Sequence, residues 1–165
     1  NILMSMKGDK KPVAFIEDCA VSLDHLAEYT ARLKEIFKKY NTSGMFYAHA
    51  SVGTLHIRPV LNMKSDEDIK NMKSISEEAF QMVKGYKGSH SGEHGDGIVR
   101  SEFHEMMTGK KSISAFAEIK DTFDNKNLLN PGKMVRPHKT NDRSLMGYKT
   151  GYEAKNSSTH YDWSK

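Results

Sequence analysis

Two histidines, His49 and His56, and an adjacent acid–base pair, Glu93 and His94, have the types and spacing to do chemistry. The histidines lie on either side of "SVG" in "MFYAHASVGTLHIRPVL", two β-rich runs joined by small residues, a hairpin pattern. A turn centred between Val52 and Gly53 sets His49 directly opposite His56. Directly opposed residues keep their Cβ atoms about 4.5–5.5 Å apart, so both imidazoles could share one cation. Two ligands do not complete a site. Glu93, in the loop "SHSGEHGDGIVR" (89–100), offers an acidic third ligand, and His94 beside it a proton acceptor. A His, His and carboxylate set with open positions is a catalytic arrangement for zinc or another divalent first-row metal. Gly92, Gly95 and Gly97 let backbone and substrate approach closely. Arg58 and Arg100 adjoin the site and can fork onto a substrate carboxylate. Read from residues alone, this is metal-assisted chemistry on a small anion.

Each feature also has a plain structural reading. A strand histidine is commonly just satisfied or exposed, and a glycine-rich acidic loop is commonly a turn. "GEHGDG" is neither a Walker loop nor a GxGxxG after a strand. Asp96 reads as a turn residue or an orienter of a nearby histidine. His25, His90, His104, His138 and His160 read as structural or exposed, and the methionines at helical spacing as core.

The elements that must position these residues alternate in order. "VAFIED" (13–18) reads as a short buried strand ending in acid. Ser22 reads as the N-cap of a helix through "LDHLAEYTARLKEIFKKY", where Leu23, Leu26, Leu33, Ile36 and Phe37 recur at helical spacing. After the hairpin, a second helix is expected from Ser65, whose "SDED" acids suit a helix N-terminus, to Gly85. The order strand–helix–strand–strand–helix is most of a split βαβ unit. The fold class expected is α+β: a ferredoxin-like antiparallel sheet with helices packed on one face, then C-terminal helices over "SEFHEMMTG" and "ISAFAEIKDTFD" and an extended tail. Residues 1–12 form a polar lead, 13–135 the domain, and 136–165 a linker or extended segment that docks on something, with scattered tyrosines and Trp163.

Composition narrows the classes. The chain is 37% hydrophobic and 28% charged with net charge +4, a globular balance with a small basic excess. It has no basic stripe interleaved with aromatics, so nucleic acid is not an expected partner. The one cysteine, Cys19, excludes an intrachain disulfide, a Cys-based zinc site or an iron–sulfur cluster built within this chain, and favours a reducing compartment. No apolar run approaches the roughly 20 residues of a membrane span. The chain begins with Asn1 rather than Met, and reads as a piece of something longer.

"FYAHASVGTLHIRPVL", "SGEHGDGIVRSEF" and "FDNKNLLNPGKMV", in this order and spacing, resemble the C-terminal (cap) domain of FAD-linked oxidases. That group holds D-lactate dehydrogenase, the glycolate oxidase flavin subunit and D-2-hydroxyglutarate dehydrogenase. The likeness runs from about Val13 to Val135. The tail resembles large members fused to a downstream iron–sulfur segment. The resemblance implies that His49, His56 and Glu93 bind zinc or manganese and that His94 takes the substrate hydroxyl proton. It implies that Asn130, in "NPGK", approaches the flavin and that the small anion is a 2-hydroxy acid, whose carboxylate Arg58 and Arg100 would meet on the residue reading above. The first motif departs from the family. Many members read "GHxGDGNLH" followed by a polar residue such as Asn; here Ser51 to Thr54 replace part of it, and Arg58 stands where Asn is common.

The reading implied is the substrate- and metal-binding part of an FAD-dependent 2-hydroxy-acid dehydrogenase passing a hydride to flavin N5. FAD itself would be bound mainly by an FAD-binding domain of the same polypeptide, and this piece alone would be inactive. An exposed half-site favours a homodimer. A cytoplasmic location is expected, with peripheral association at the inner membrane through an electron acceptor as a variant. Two other readings stay open from the sequence: a flavin-independent, hydrolase-like metal domain, and a ferredoxin-like interaction module whose histidines are incidental.

Overall fold

The computed structural model describes residues 5–149, 151–153 and 160. Four strands, β1 (Lys11–Pro12), β2 (Cys19–Ala20), β3 (Gly44–His49) and β4 (Thr54–Leu61), form one antiparallel sheet in which every other strand pairs with β4. β3 runs along one edge of β4, and β2 meets the other edge at Cys19↔Leu55. Ala20 makes an antiparallel bridge to Ser89, so the loop after the second helix occupies the place outside β2. That is the strand order of a split βαβ unit, with its last strand reduced to a single bridge.

The expected strand over 13–18 is corrected. Residues 13–18 leave the sheet between β1 and β2. A continuous strand would send one of the neighbours Phe15 and Ile16 to the polar face. The turn instead buries both in the core.

The hairpin register is corrected as well. Ala50–Val52 form a 3₁₀ turn and Gly53 closes it at φ +72°, with its N–H donating to Ala50 O at 3.2 Å. A Cβ at position 53 would lie 1.9 Å from Val21 O, so only glycine fits. The result pairs His49 with Thr54 and Tyr47 with His56. His49 and His56 are therefore diagonal neighbours on one face, not directly opposed.

Strand alternation separates core from chemistry. Leu55, Ile57 and Leu61 of β4 join the hydrophobic core beneath the helices, while Thr54, His56 and Arg58 point to the opposite face. Helix α1 (Leu26–Lys39) buries Tyr29, Leu33 and Phe37, one every turn. A 3₁₀ turn, Leu23–His25, precedes it; Ser22 stands at the expected N-cap position, but its side chain makes no capping bond. The chain reverses there through the Ser22 carbonyl, which accepts from His25 N–H at 2.9 Å. Helix α2 (Asp66–Gly85) starts as its sequence requires. Ser65 Oγ accepts from Asp68 N–H, a cap worth about 1 kcal/mol, and Ile69, Met72, Ile75, Ala79, Phe80 and Val83 form the buried stripe. Cys19 is enclosed beside Tyr29, and burial pushes its thiol up to about 12, so it is an inert core residue.

Beyond the loop come α3 (Gly97–Arg100), a 3₁₀ turn (Ser101–Phe103), α4 (His104–Thr108) and α5 (Lys110–Phe123). The described part of the tail folds back onto this body. Thr140 N–H donates to Glu102 Oε2 at 2.7 Å, and Arg143 reaches Met63 O and Asp66. Trp163, with residues 154–159 and 161–165, lies outside the described residues.

Glu102 anchors that return. Burial alone would raise its carboxyl, but hydrogen bonds from Lys73, the Thr140 N–H and Lys139 outweigh it and hold the group at about 2, against an ordinary 4.5. A carboxyl depressed on folding stabilises above its unfolded value and stops doing so as pH falls through its folded value. Tail attachment is thus expected to weaken between pH 4.5 and about 2. Glu102→Gln should flatten acid-induced unfolding in that window; an unchanged acid profile would show that Glu102 does not carry it.

Candidate functional site

On the sheet face away from the helices, three imidazoles converge on one carboxylate oxygen. Glu93 Oε1 lies 3.4 Å from His49 Nε2, 3.2 Å from His56 Nε2 and 3.3 Å from His94 Nε2. The rings of His49 and His56 meet edge to face at 5.0 Å, and His56 and His94 stack at 4.9 Å with planes 9° apart. The pleat places the first two, since His49 on β3 and His56 on β4 share a face two residues off register. The loop over 89–97 brings the other pair.

His56 is the buried base of the cluster, and the other members are its rim: the side chains of His49 and Glu93 are about half exposed. His56 Nδ1 lies 2.9 Å from the backbone carbonyl of Glu17. A carbonyl can only accept, so Nδ1 carries the hydrogen and Nε2 presents its lone pair to the cluster. This is the orientation a metal-ligating histidine needs, with its other nitrogen held by a carbonyl.

Two acids that the sequence reading did not single out build the site from beneath. Glu17 Oε2 accepts from Arg58 Nε at 2.7 Å, and its Oε1 lies 3.5 Å from His94 Nδ1. Asp18 is fully buried, and its carboxylate accepts the backbone N–H groups of Glu93 (3.1 Å) and His94 (2.8 Å). Its own carbonyl accepts from Gly92 N–H at 2.7 Å. Gly92 packs closely there: a Cβ would lie 3.2 Å from that carbonyl oxygen, so any larger residue would have to push it back by a few tenths of an ångström. Asp18 thus holds the loop backbone so that Glu93 and His94 face the histidines. One signal was present in the sequence: the 13–18 run ends in "ED".

The arginines part company. Arg58 lies on the same face as His56, its guanidinium 5.8 Å from the Tyr47 ring centre and its Nε on Glu17. Arg100 is buried under the loop, donating to Gly95 O and lying 3.9 Å from Asp18 Oδ2. The substrate-facing position expected of it is not where the structure puts it, because its charge is needed next to the buried Asp18. Asn130 stands apart from the cluster, in an exposed turn between Leu129 and Pro131, with its Oδ1 accepting from Lys133 at 3.4 Å.

A second group lies on the other side of the same loop. Asp96 Oδ1 is 3.3 Å from His90 Nε2, and Oδ2 is 3.0 Å from His104 Nε2. Both histidines are buried, and burial, partly offset by Asp96, pushes His90 below its usual value. Asp96 therefore faces two histidines, and His90 and His104, both buried, are grouped around it. No sequence periodicity links positions 90 and 104; α3 and the following turn bring them together.

A model of the family described as "FAD linked oxidases, C-terminal domain" matches residues 2–134. D-2-hydroxyglutarate dehydrogenase of Escherichia coli (strain K12) is 35% identical over 136 residues, which cover 82% of this chain and 13% of that protein. D-lactate dehydrogenase of Archaeoglobus fulgidus is 32% identical over 134 residues, covering 81% of this chain and 29% of its own length. Glycolate oxidase subunit GlcD of Bacillus subtilis is 31% identical over 124 residues, 75% of this chain and 26% of that subunit. The chain spans less than a third of each of these relatives.

Proposed function

The chain belongs to the FAD-linked oxidases as their C-terminal domain, and from that premise we propose that it supplies the metal- and substrate-binding half of a flavin-dependent 2-hydroxy-acid dehydrogenase. The observation that carries this reading is the convergence of three imidazole Nε2 atoms on Glu93 Oε1, with His56 already in the tautomer that ligation requires. His49, His56 and Glu93 would hold a divalent cation, zinc or manganese. Such a cation supplies Lewis-acid polarisation of the substrate's carboxylate and hydroxyl oxygens. FAD, bound mainly by an FAD-binding domain, supplies the hydride acceptor.

The chain's own residues do the rest. Arg58, aimed across the face by its Glu17 contact, orients the substrate carboxylate as a charged hydrogen-bond partner. His94 takes the hydroxyl proton, and a proton taken up there sits between the carboxylates of Glu93 and Glu17. Arg100 positions the loop through Asp18 and does not touch substrate. Asn130 faces the flavin side, on a turn whose exposed Leu128 and Leu129 suit contact with a planar ring system. We assign that edge, with Phe123 and Ile119, to the FAD-binding domain of the same polypeptide; a second copy of this chain is the competing occupant. An isolated chain is then expected to be inactive. No described helix is long and apolar enough to cross a membrane. A downstream iron–sulfur segment, read from the tail, stays part of the proposal.

Calorimetric titration with Mn²⁺ and Zn²⁺ tests the metal assignment. One class of binding site should disappear in His56→Ala. Binding identical to wild type in that variant would return the histidines to the interaction-module reading.

A further inference from the structure

The group behind the loop is built from three residues that the proposed chemistry does not use. His104 Nδ1 lies 3.3 Å from the backbone carbonyl of Met134, which can only accept. In the neutral ring, Nε2 then turns a lone pair toward Asp96 Oδ2 at 3.0 Å. That contact becomes attractive with a positive charge between the two atoms, which a proton on Nε2 or a metal ion supplies equally; the unpartnered atoms on the other arm favour the metal ion. On the other arm, His90 Nε2 and Asp96 Oδ1 lie 3.3 Å apart but have no hydrogen-bond partner, and both atoms are buried. Buried polar atoms left in this state cost free energy and call for an explanation. The three ligand atoms lie within 4.8 Å of one another. Beside them opens a cavity of about 470 Å³, bordered by Glu93, Thr108 and Phe116.

We propose that His90, Asp96 and His104 form a second divalent-metal site, of the zinc class, distinct from the His49–His56–Glu93 cluster. Two imidazoles and a carboxylate suit a borderline first-row cation, and the cavity leaves room for a fourth, solvent ligand. Met134 O is the outer partner that fixes His104 as a ligand, as Glu17 O does for His56. The role is structural. An ion here ties His90 at the start of the loop and Asp96 past its centre to His104 on α4, so Glu93 and His94 are carried between two fixed points.

The test is zinc content of the full chain after loading and removal of excess metal, with His104→Gln and His56→Gln in parallel. Wild type should hold two equivalents and each variant one. A wild-type equivalent that survives His104→Gln unchanged, with none lost, overturns the proposal. Loss in His104→Gln but not in His56→Gln leaves this site standing and sinks the first instead. Should His104→Gln fail to fold, anomalous scattering from a zinc-loaded wild-type crystal decides. A peak between His90 and His104 is expected, and its absence overturns the proposal.

Discussion

Substituting His94 with alanine in the complete flavoprotein is expected to cut substrate-dependent flavin reduction by about 10²–10⁴-fold, the usual worth of a positioned general base. The expectation follows from where the ring sits. Its Nε2 and Nδ1 each face a carboxylate, Glu93 at 3.3 Å and Glu17 at 3.5 Å, which fixes where the ring points. The ring also stacks on His56, which fixes its plane. FAD content should be unchanged, since no residue assigned to the flavin side contacts His94. Bleaching of the flavin absorbance after mixing with a panel of D- and L-2-hydroxy acids reads the effect directly. Reduction at the wild-type rate would remove His94 from the chemistry and leave it as a further ligand or a packing residue.

The second large effect belongs to a residue that touches no substrate. Asp18→Ala removes the acceptor for the Glu93 and His94 N–H groups and leaves the buried Arg100 without its nearest carboxylate. Loss of one partner from a buried charged pair costs about 3–5 kcal/mol. The urea midpoint should fall accordingly, and Mn²⁺ affinity should drop about 10–100-fold, as when an outer partner of a metal ligand is lost. Asp18→Asn, which keeps an acceptor oxygen but not the charge, should fall between the two. A stability loss under about 1 kcal/mol, the ordinary value for a point change, would mean that the loop holds itself.

The candidate site residues were legible because their types are rare and their spacing is local. His49 and His56 bracket a short turn, Glu93 and His94 are adjacent, and the Ser65 cap announces α2 within four residues. What failed to show was set by contacts distant in sequence. Gly53 fixes the hairpin register through its closeness to Val21, so the one-turn geometry could not be read from "SVG" alone. Glu17 and Asp18 looked like the polar end of a strand, yet they reach the loop more than seventy residues later. Arg100 looked free to meet an anion because its burial depends on that same Asp18. The tail's return through Thr140 and Arg143 needed Glu102 and Asp66 as partners, and neither is recognisable as such from composition. Family resemblance supplied roles for the first group but no contact partners for the second.

The single bridge between Ala20 and Ser89 has a thermodynamic meaning. Together with the Gly92–Asp18 hydrogen bond, it stitches the loop to the sheet through backbone groups on both sides of His90. The entropy of ordering that segment is therefore lost when the protein folds, not when an ion or substrate arrives. Any ligand captured by Glu93 and His94 would be spared that cost, and its affinity would reflect the contacts themselves. A loop of this composition would otherwise wander, and much of its binding free energy would go into holding it still.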